Sequence, residues 1–256
     1  MSARAWLRDQ ELPAPDAVSP AAAATAEVTP ADVTSATVAA LTRPDVLGRL
    51  AMLREDEGPC AAQVPLLPER VRAAVHAELA AQDGWVDECW VRTASSRTQS
   101  VTPAAFAAAE ATRRMVHIDN LRVLSGAPLL GGLLAGVGDP AVAAAFSAAY
   151  GEEVEKRSHD VARYRAGQYL RRHSDTFERR RFGLVLMLSD GWRPGLGGEL
   201  VVEAPNGESV VVAPVGGDLA LLRISPGFMH HVSPVRGDGW VRYSVAVHFA
   251  LPGADT

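Results

Sequence analysis

His173, Ser174 and Asp175 put an imidazole and a carboxylate two positions apart. In an extended strand, side chains at i and i+2 share a face, so this pair can bind one metal ion together. His-x-Asp alone is a weak signal, because it arises by chance on many protein surfaces. A third ligand is available further along, at His230 or His231. Neighbouring strand residues face opposite sides, so only one of the two can point at the same ion. Two imidazoles and one carboxylate leave coordination positions open for small molecules. Arg242, with Ser244 two residues on, is the next component. Both should share one side of a strand whose other side carries Val241, Tyr243, Val245 and Val247. A guanidinium can hold a carboxylate by two parallel hydrogen bonds, and a hydroxyl beside it adds a third donor. Buried in an apolar setting, such an arginine needs an anionic partner. The plain alternative is a rim arginine paired with Asp238 or water.

These side chains need a scaffold. From about residue 158 the chain alternates short β-rich runs with Gly, Pro, Asn and Asp turns. The pattern predicts strands over 160–165, 168–174, 181–189, 198–204, 208–213, 218–224, 229–233 and 240–250. Asn206-Gly207 marks a hairpin, and many short strands at this spacing predict a sandwich or jelly-roll barrel. Upstream, Pro44 opens a helix carrying Val46, Leu50 and Leu53, and Val71, Val75 and Leu79 form one stripe over 68–81. Trp85 to Val91 reads as a strand, while Pro103 and Pro140 start Ala-rich helices near 103–114 and 140–150. Those helices would serve as core scaffold or as a homodimer surface. The predicted class is α+β. Residues 1–40 form a flexible leader, 41–157 a mostly helical support region and 158–256 a β-core, the last two making one compact domain.

Composition excludes more than it selects. Hydrophobic residues make up 48% and charged residues 21% of the 256, an ordinary globular balance. The net charge of -5 gives no footprint for nucleic acid or an anionic membrane. No apolar run reaches about eighteen residues, and charges and prolines interrupt any N-terminal signal core. The expectation is a soluble cytoplasmic chain. The two cysteines, Cys60 and Cys89, make neither a disulfide framework nor a thiolate metal site and are expected to be idle thiols.

The stretch from Tyr164 to Phe249 resembles the prolyl-4-hydroxylase-like branch of the 2-oxoglutarate/Fe(II) oxygenases. Tyr164-Arg165-Ala166-Gly167-Gln168-Tyr169 leading into His173-Ser174-Asp175 is similar to that family's approach to the metal motif. Met187 to Trp192 followed by Gly197-Gly198-Glu199-Leu200 is similar to its strand and Gly-Gly-Glu-Leu turn. Pro214 to Leu219 is similar to its Pro-x-x-Gly-x-Leu step. His230-His231-Val232-Ser233-Pro234-Val235 matches His-x-Val-x-Pro-Val, and Arg242-Tyr243-Ser244 resembles the Arg-x-Ser motif. The doubled histidine and a slightly long gap between His230 and Arg242 depart from the pattern.

The resemblance implies a double-stranded β-helix (jelly-roll) core with N-terminal supporting helices. It implies Fe(II) held by His173, Asp175 and His230, with 2-oxoglutarate held by Arg242 and Ser244. Dioxygen is the further substrate, and ascorbate an auxiliary reductant. The implied reaction is hydroxylation of an unactivated C–H bond in a small molecule, amino acid or peptide, with 2-oxoglutarate decarboxylated to succinate. Related halogenases carry a small residue where Asp175 stands, so halogenation is not expected. A protein prolyl hydroxylase is the alternative within this class. A non-catalytic jelly-roll binding a metal or ligand is the alternative outside it.

Other residues carry weaker expectations. Tyr169 shares a face with His173 if the strand is regular; it and Tyr164 either line the cosubstrate pocket or pack. Trp192 either meets substrate or anchors its loop. Arg163, Arg165, Arg171, Arg172 and Arg179 to Arg181 either attract an anionic substrate or form a solvated face. Residues 95–101 and 176–181 are the expected lid loops. His76, His117, His159 and His248 are expected to be structural.

Overall fold

The last strand shows how the chain serves two cores at once. In a computed structural model, which describes residues 27–55, 58–95, 97–237 and 239–253, β12 spans Arg242–Ala250. Tyr243, Val245, Val247 and Phe249 face a layer of helices, whereas Arg242, Ser244, Ala246 and His248 face a cavity. This is the period-two alternation of a strand buried on both sides.

The other strands, in chain order, are β1 (Ala61–Pro65), β2 (Trp85–Arg92), β3 (Thr98–Val101), β4 (Arg114–Leu121), β5 (Glu155–Tyr164) and β6 (Tyr169–His173). They continue with β7 (Arg180–Met187), β8 (Leu200–Glu203), β9 (Ser209–Val212), β10 (Asp218–Arg223) and β11 (Met229–Val232). The sheet runs β1-β10-β7-β12-β5-β4-β6-β11-β8-β9, with β2 on the far edge of β4 and β3 on β2. Every pairing is antiparallel. The sheet curls until its ends approach, and the Cys60 thiol next to β1 reaches the Val202 carbonyl of β8 at 3.5 Å. Val185, Met187, Ala220 and Leu222 of one half meet Leu200, Val202, Val212 and Val232 of the other inside the barrel. This nearly closed antiparallel barrel is the double-stranded β-helix. The hairpin expected at Asn206-Gly207 joins β8 to β9, with Gly207 at φ 88°.

Helices α1 (Pro30–Leu41), α2 (Pro44–Met52), α3 (Glu69–Ala81), α5 (Pro128–Val137) and α6 (Pro140–Tyr150) cover the outer face; α4 (Pro103–Ala108) packs elsewhere, on β2. Phe146 of α6 packs edge-on to Phe182 and Phe249, with centroids 5.8 and 5.2 Å away. No single helix among the described residues is long and apolar enough to cross a membrane.

Three boundaries differ from the sequence expectations. Residues 1–26 lie outside the described residues, but 30–40 of the expected leader belong to α1 (Pro30–Leu41), which buries Val33, Thr37, Ala40 and Leu41. Its start is a capping box in which Thr29 and Asp32 satisfy each other's backbone amides, with Pro30 in the first turn. The support region is less helical than expected, because it supplies β1 to β4 and β4 sits inside the sheet. The helix expected over 103–114 ends at Ala108, where the chain turns to enter β4.

Candidate metal centre and cosubstrate pocket

Antiparallel pairing of β6 with β11 sets His173 directly opposite His230. Their rings lie 4.1 Å apart between centroids. Asp175, just past the end of β6, closes the triangle. Its Oδ1 is 3.7 Å from His173 Nε2, and its Oδ2 is 3.3 Å from His230 Nε2. The three donor atoms lie within 4.8 Å of one another, close enough to share one ion. His231 faces away, with Nδ1 3.5 Å from Glu203 Oε1.

The electrostatics suit a cation. His173 Nδ1 lies 2.8 Å from the Arg171 carbonyl. That contact requires the proton on Nδ1 and leaves the Nε2 lone pair free. Burial, reinforced by the neighbouring His230, pushes the His173 pKa down to about 4. The ring is therefore neutral at neutral pH, which is the ligating form. Burial alone would raise the Asp175 carboxyl, but His230 and His248 outweigh it and hold the group well below the ordinary carboxylate range.

Arg242 is 1% exposed and faces into the same cavity. Its Nη1 donates to Ser244 Oγ at 2.7 Å, its Nη2 reaches Met187 Sδ at 3.5 Å, and its Nε has no partner. Among the described residues no carboxylate pairs with it; Asp238, its alternative partner, lies outside them. Burial lowers its pKa, partly offset by Tyr164, whose ring lies 4.8 Å from Cζ. A guanidinium this buried and unpaired calls for an anion. The turn before β8 helps to shape the place. Gly198 sits at φ 76°, where a Cβ would come within 3.1 Å of both the Arg242 stem and the Trp240 ring.

The cavity has a volume of about 500 Å³. His173, Asp175 and His230 form one wall; Arg242, Ser244 and Tyr164 form another. Tyr169 is not on the wall. It packs against Cys89, Val91 and Phe106 instead. The β6–β11 register slips by one residue, pairing His230 with His173 but Val232 with Leu170. This bulge puts Leu170 on the His173 side and turns Tyr169 outward, so the assumption of a regular strand failed.

Three other residues stand at the site: Asn120 was not singled out from the sequence, His248 was expected only to be structural, and Arg180 was expected as part of an arginine cluster and a lid. His248 Nε2 lies 3.0 Å from Asp175 Oδ2, and its Nδ1 lies 3.2 Å from Ser158 Oγ. Alternation along 242, 244, 246 and 248 was the signal that could have placed it inward. Arg180 puts Nη1 3.8 Å from Asp175 Oδ1 and its guanidinium 3.9 Å over the Phe177 ring. Asn120 is buried on the cavity wall, donates to Glu88 at 2.9 Å and leaves its Oδ1 without a partner.

The arginine-rich stretch does not form one anion-attracting surface. Arg163 and Arg165 both pair with buried Asp119, Arg172 with Glu203, and Arg181 with Glu152. Arg179 donates to the Pro252 carbonyl, and Arg171 and Arg180 remain at the cavity. Trp192 anchors its own loop by donating to the Gly197 carbonyl at 3.1 Å. Of the expected lids, Thr98 and Phe177 reach the cavity wall, whereas Ser96 lies outside the described residues. His76 binds the Leu188 carbonyl at 2.9 Å.

Residues 159–250 match the family model described as the 2OG-Fe(II) oxygenase superfamily. A prolyl-4-hydroxylase from Pseudomonas putida superposes with a TM-score of 0.57 at 23% identity, covering 79% of this chain and 98% of that one. A Trichoplax adhaerens prolyl hydroxylase, solved with a hypoxia inducible factor peptide fragment, gives 0.59 at 15%, covering 80% and 91%. SnoN, a non-haem α-ketoglutarate-dependent epimerase from nogalamycin biosynthesis, gives 0.53 at 16%, covering 82% and 84%. At these identities the structural likenesses speak for the fold. No curated protein matches the chain by sequence. The family match covers residues 159–250, the segment that holds both imidazoles, the carboxylate and the buried guanidinium.

Proposed function

We propose that the protein hydroxylates an unactivated C–H bond of a small molecule, amino acid or peptide, with Fe(II) on His173, Asp175 and His230. The observation that carries this reading is Arg242, a buried cation with no counter-charge among the described residues, which shares its cavity with the triad. In this reading the distal carboxylate of 2-oxoglutarate supplies the missing anion. Arg242 would hold it, with Ser244 bonded to the guanidinium and Tyr164 flanking it from the neighbouring strand. Iron, when bound, couples decarboxylation of the cosubstrate to oxidation of the C–H bond. His173, Asp175 and His230 would hold the ion by three groups, a donor set that leaves positions open for small molecules. His248 and Arg180 hold the Asp175 carboxylate in place from behind.

The apolar barrel wall of Val185, Leu200, Leu222 and Val232 keeps bulk water away from the centre. A cavity of about 500 Å³ falls in the ordinary small-ligand range. It must take both the cosubstrate and the group to be oxidised, which supports a compact substrate or a single inserted side chain. The test is anaerobic loading with Fe(II), then succinate detection in air across free amino acids, small molecules, peptides and proteins. Substrate-stimulated succinate formation supports the proposal. Absence of 2-oxoglutarate consumption under every condition overturns it.

A further inference from the structure

On the face of β2 and β4 turned away from the catalytic cavity, a second group of donor side chains converges. Asp87 and Cys89 stand at i and i+2 of β2, and antiparallel pairing puts His117 of β4 directly opposite Cys89. Cys89 Sγ lies 3.6 Å from Asp87 Oδ1, and His117 Nε2 lies 3.4 Å from the same oxygen. All three donor atoms fall within 4.8 Å of one another. We propose that Asp87, Cys89 and His117 form a second, thiolate-containing metal site that takes Zn²⁺.

The spacing is what a tetrahedral zinc would impose. Metal–ligand lengths of about 2.3 Å for sulfur and about 2.0 Å for nitrogen and oxygen give sulfur–oxygen and nitrogen–oxygen edges of about 3.5 and 3.3 Å. Both observed distances lie within about 0.1 Å of those edges. The donor set also separates this place from the catalytic one. Sulfur, imidazole and one carboxylate suit zinc, whereas two imidazoles and a carboxylate suit non-haem iron. The surroundings are shaped as a half-closed socket. Cys89 is 1% exposed and packs with Val91 and Phe106, and the Phe106 ring braces His117 at 5.3 Å. Asp87 and His117 are partly exposed, which leaves an entry path and a fourth position for water. Binding exchanges the Cys89 thiol proton for the metal, so one proton leaves to solvent for each ion bound.

The position gives the ion a structural consequence. Glu88 and Trp90 alternate with Asp87 and Cys89 along β2 and line the catalytic cavity. An ion joining β2 to His117 of β4 would therefore fix the substrate-facing wall from its outer side. From the sequence, Cys89 was expected to be an idle thiol and His117 structural; they meet only through strand pairing.

Cobalt(II) titration of the metal-stripped full chain tests this, because a thiolate ligand gives a near-ultraviolet charge-transfer band that a His/Asp/His centre cannot give. The expected result is two cobalt ions per chain with that band, the band lost in Cys89→Ser and kept in a His173→Ala/His230→Ala double variant. His117→Gln should weaken binding at the thiolate site without altering the other. One cobalt ion per chain without the band, or a band that persists in Cys89→Ser, overturns the proposal. Neither readout depends on catalytic turnover.

Discussion

His248 Nε2 lies 3.0 Å from the carboxylate oxygen of Asp175 that faces His230. A ring nitrogen must donate to a carboxylate, so Nε2 carries the proton and Nδ1 accepts from Ser158 Oγ at 3.2 Å. Ser158 in turn accepts from Arg180 Nη2 at 3.3 Å. The chain Arg180–Ser158–His248–Asp175 thus fixes the carboxylate before any metal arrives. Outer groups of this kind typically set about 10–100-fold in metal affinity. His248→Ala should weaken Fe(II) binding by about that factor and leave the 2-oxoglutarate KM of the iron-saturated protein nearly unchanged. Calorimetric metal titration and steady-state kinetics at saturating iron would measure the two effects separately.

Arg242 gives a prediction with two signs. Replacing it by methionine removes charge-assisted hydrogen bonds worth about 3 kcal/mol to a bound carboxylate, so the 2-oxoglutarate KM should rise about 100-fold. The same change removes a buried charge that has no carboxylate partner among the described residues of the ligand-free protein. Arg242→Met should therefore unfold at a higher temperature than the parent when ligand-free. 2-Oxoglutarate should then raise Tm in the parent and not in the variant. Thermal scans with and without the cosubstrate decide both points.

The two tyrosines should separate cleanly. Tyr164 faces Arg242 on the paired strand, so Tyr164→Phe or Tyr164→Ala should raise the 2-oxoglutarate KM. Tyr169 packs with Phe106 and Cys89 behind the bulge. Tyr169→Ala should cost stability, about 2–4 kcal/mol for a large-to-small change at a partly buried aromatic, and leave that KM alone. Kinetics of the two variants side by side would test the register slip in β6.

Asp119 ties the crossing from β5 to β6 together. It accepts from Arg163 at 2.6 Å, Arg165 at 3.0 Å and Gln168 at 2.7 Å. Burial would raise its carboxyl, but these donors outweigh burial and hold it below the ordinary range. A depressed folded pKa means that its contribution is full above the unfolded pKa of about 3.9 and disappears as pH falls through the folded value. Asp119→Asn should destabilise the protein by about 2 kcal/mol at neutral pH, and the difference should shrink in acid below about pH 4. Denaturant melts across pH would show the convergence.

The β-core was legible because alternation and turn residues are local signals. Strands were expected over 181–189 and 240–250, and β7 and β12 lie at Arg180–Met187 and Arg242–Ala250. β4 was not legible: no strand was expected over Arg114–Leu121, which follows directly on an Ala-rich run that reads as a helix to 114. α5 was hidden by its composition. It is apolar nearly all round and contains Gly131, Gly132 and Gly136, two of which let α1 approach closely: a Cβ on Gly132 would lie 2.4 Å from the Pro30 carbonyl oxygen. At the site, His173, Asp175, Arg242 and Ser244 were legible through i, i+2 spacing, and the two later histidines could be narrowed to one. Tyr169 was misplaced because a bulge leaves no local trace in the sequence. Asp87, Cys89 and His117 were invisible as a set, because only tertiary pairing makes them neighbours.

The central claim is that one ion sits among His173, Asp175 and His230 with 2-oxoglutarate reaching back to Arg242. Anaerobic titration of the iron-loaded protein with 2-oxoglutarate, followed by visible metal-to-ligand charge-transfer absorption, tests it most directly. The band should form in the parent and in His231→Ala, vanish in His230→Ala and Asp175→Ala, and need far more 2-oxoglutarate in Arg242→Met. A band that survives His230→Ala but is lost in His231→Ala would contradict the account.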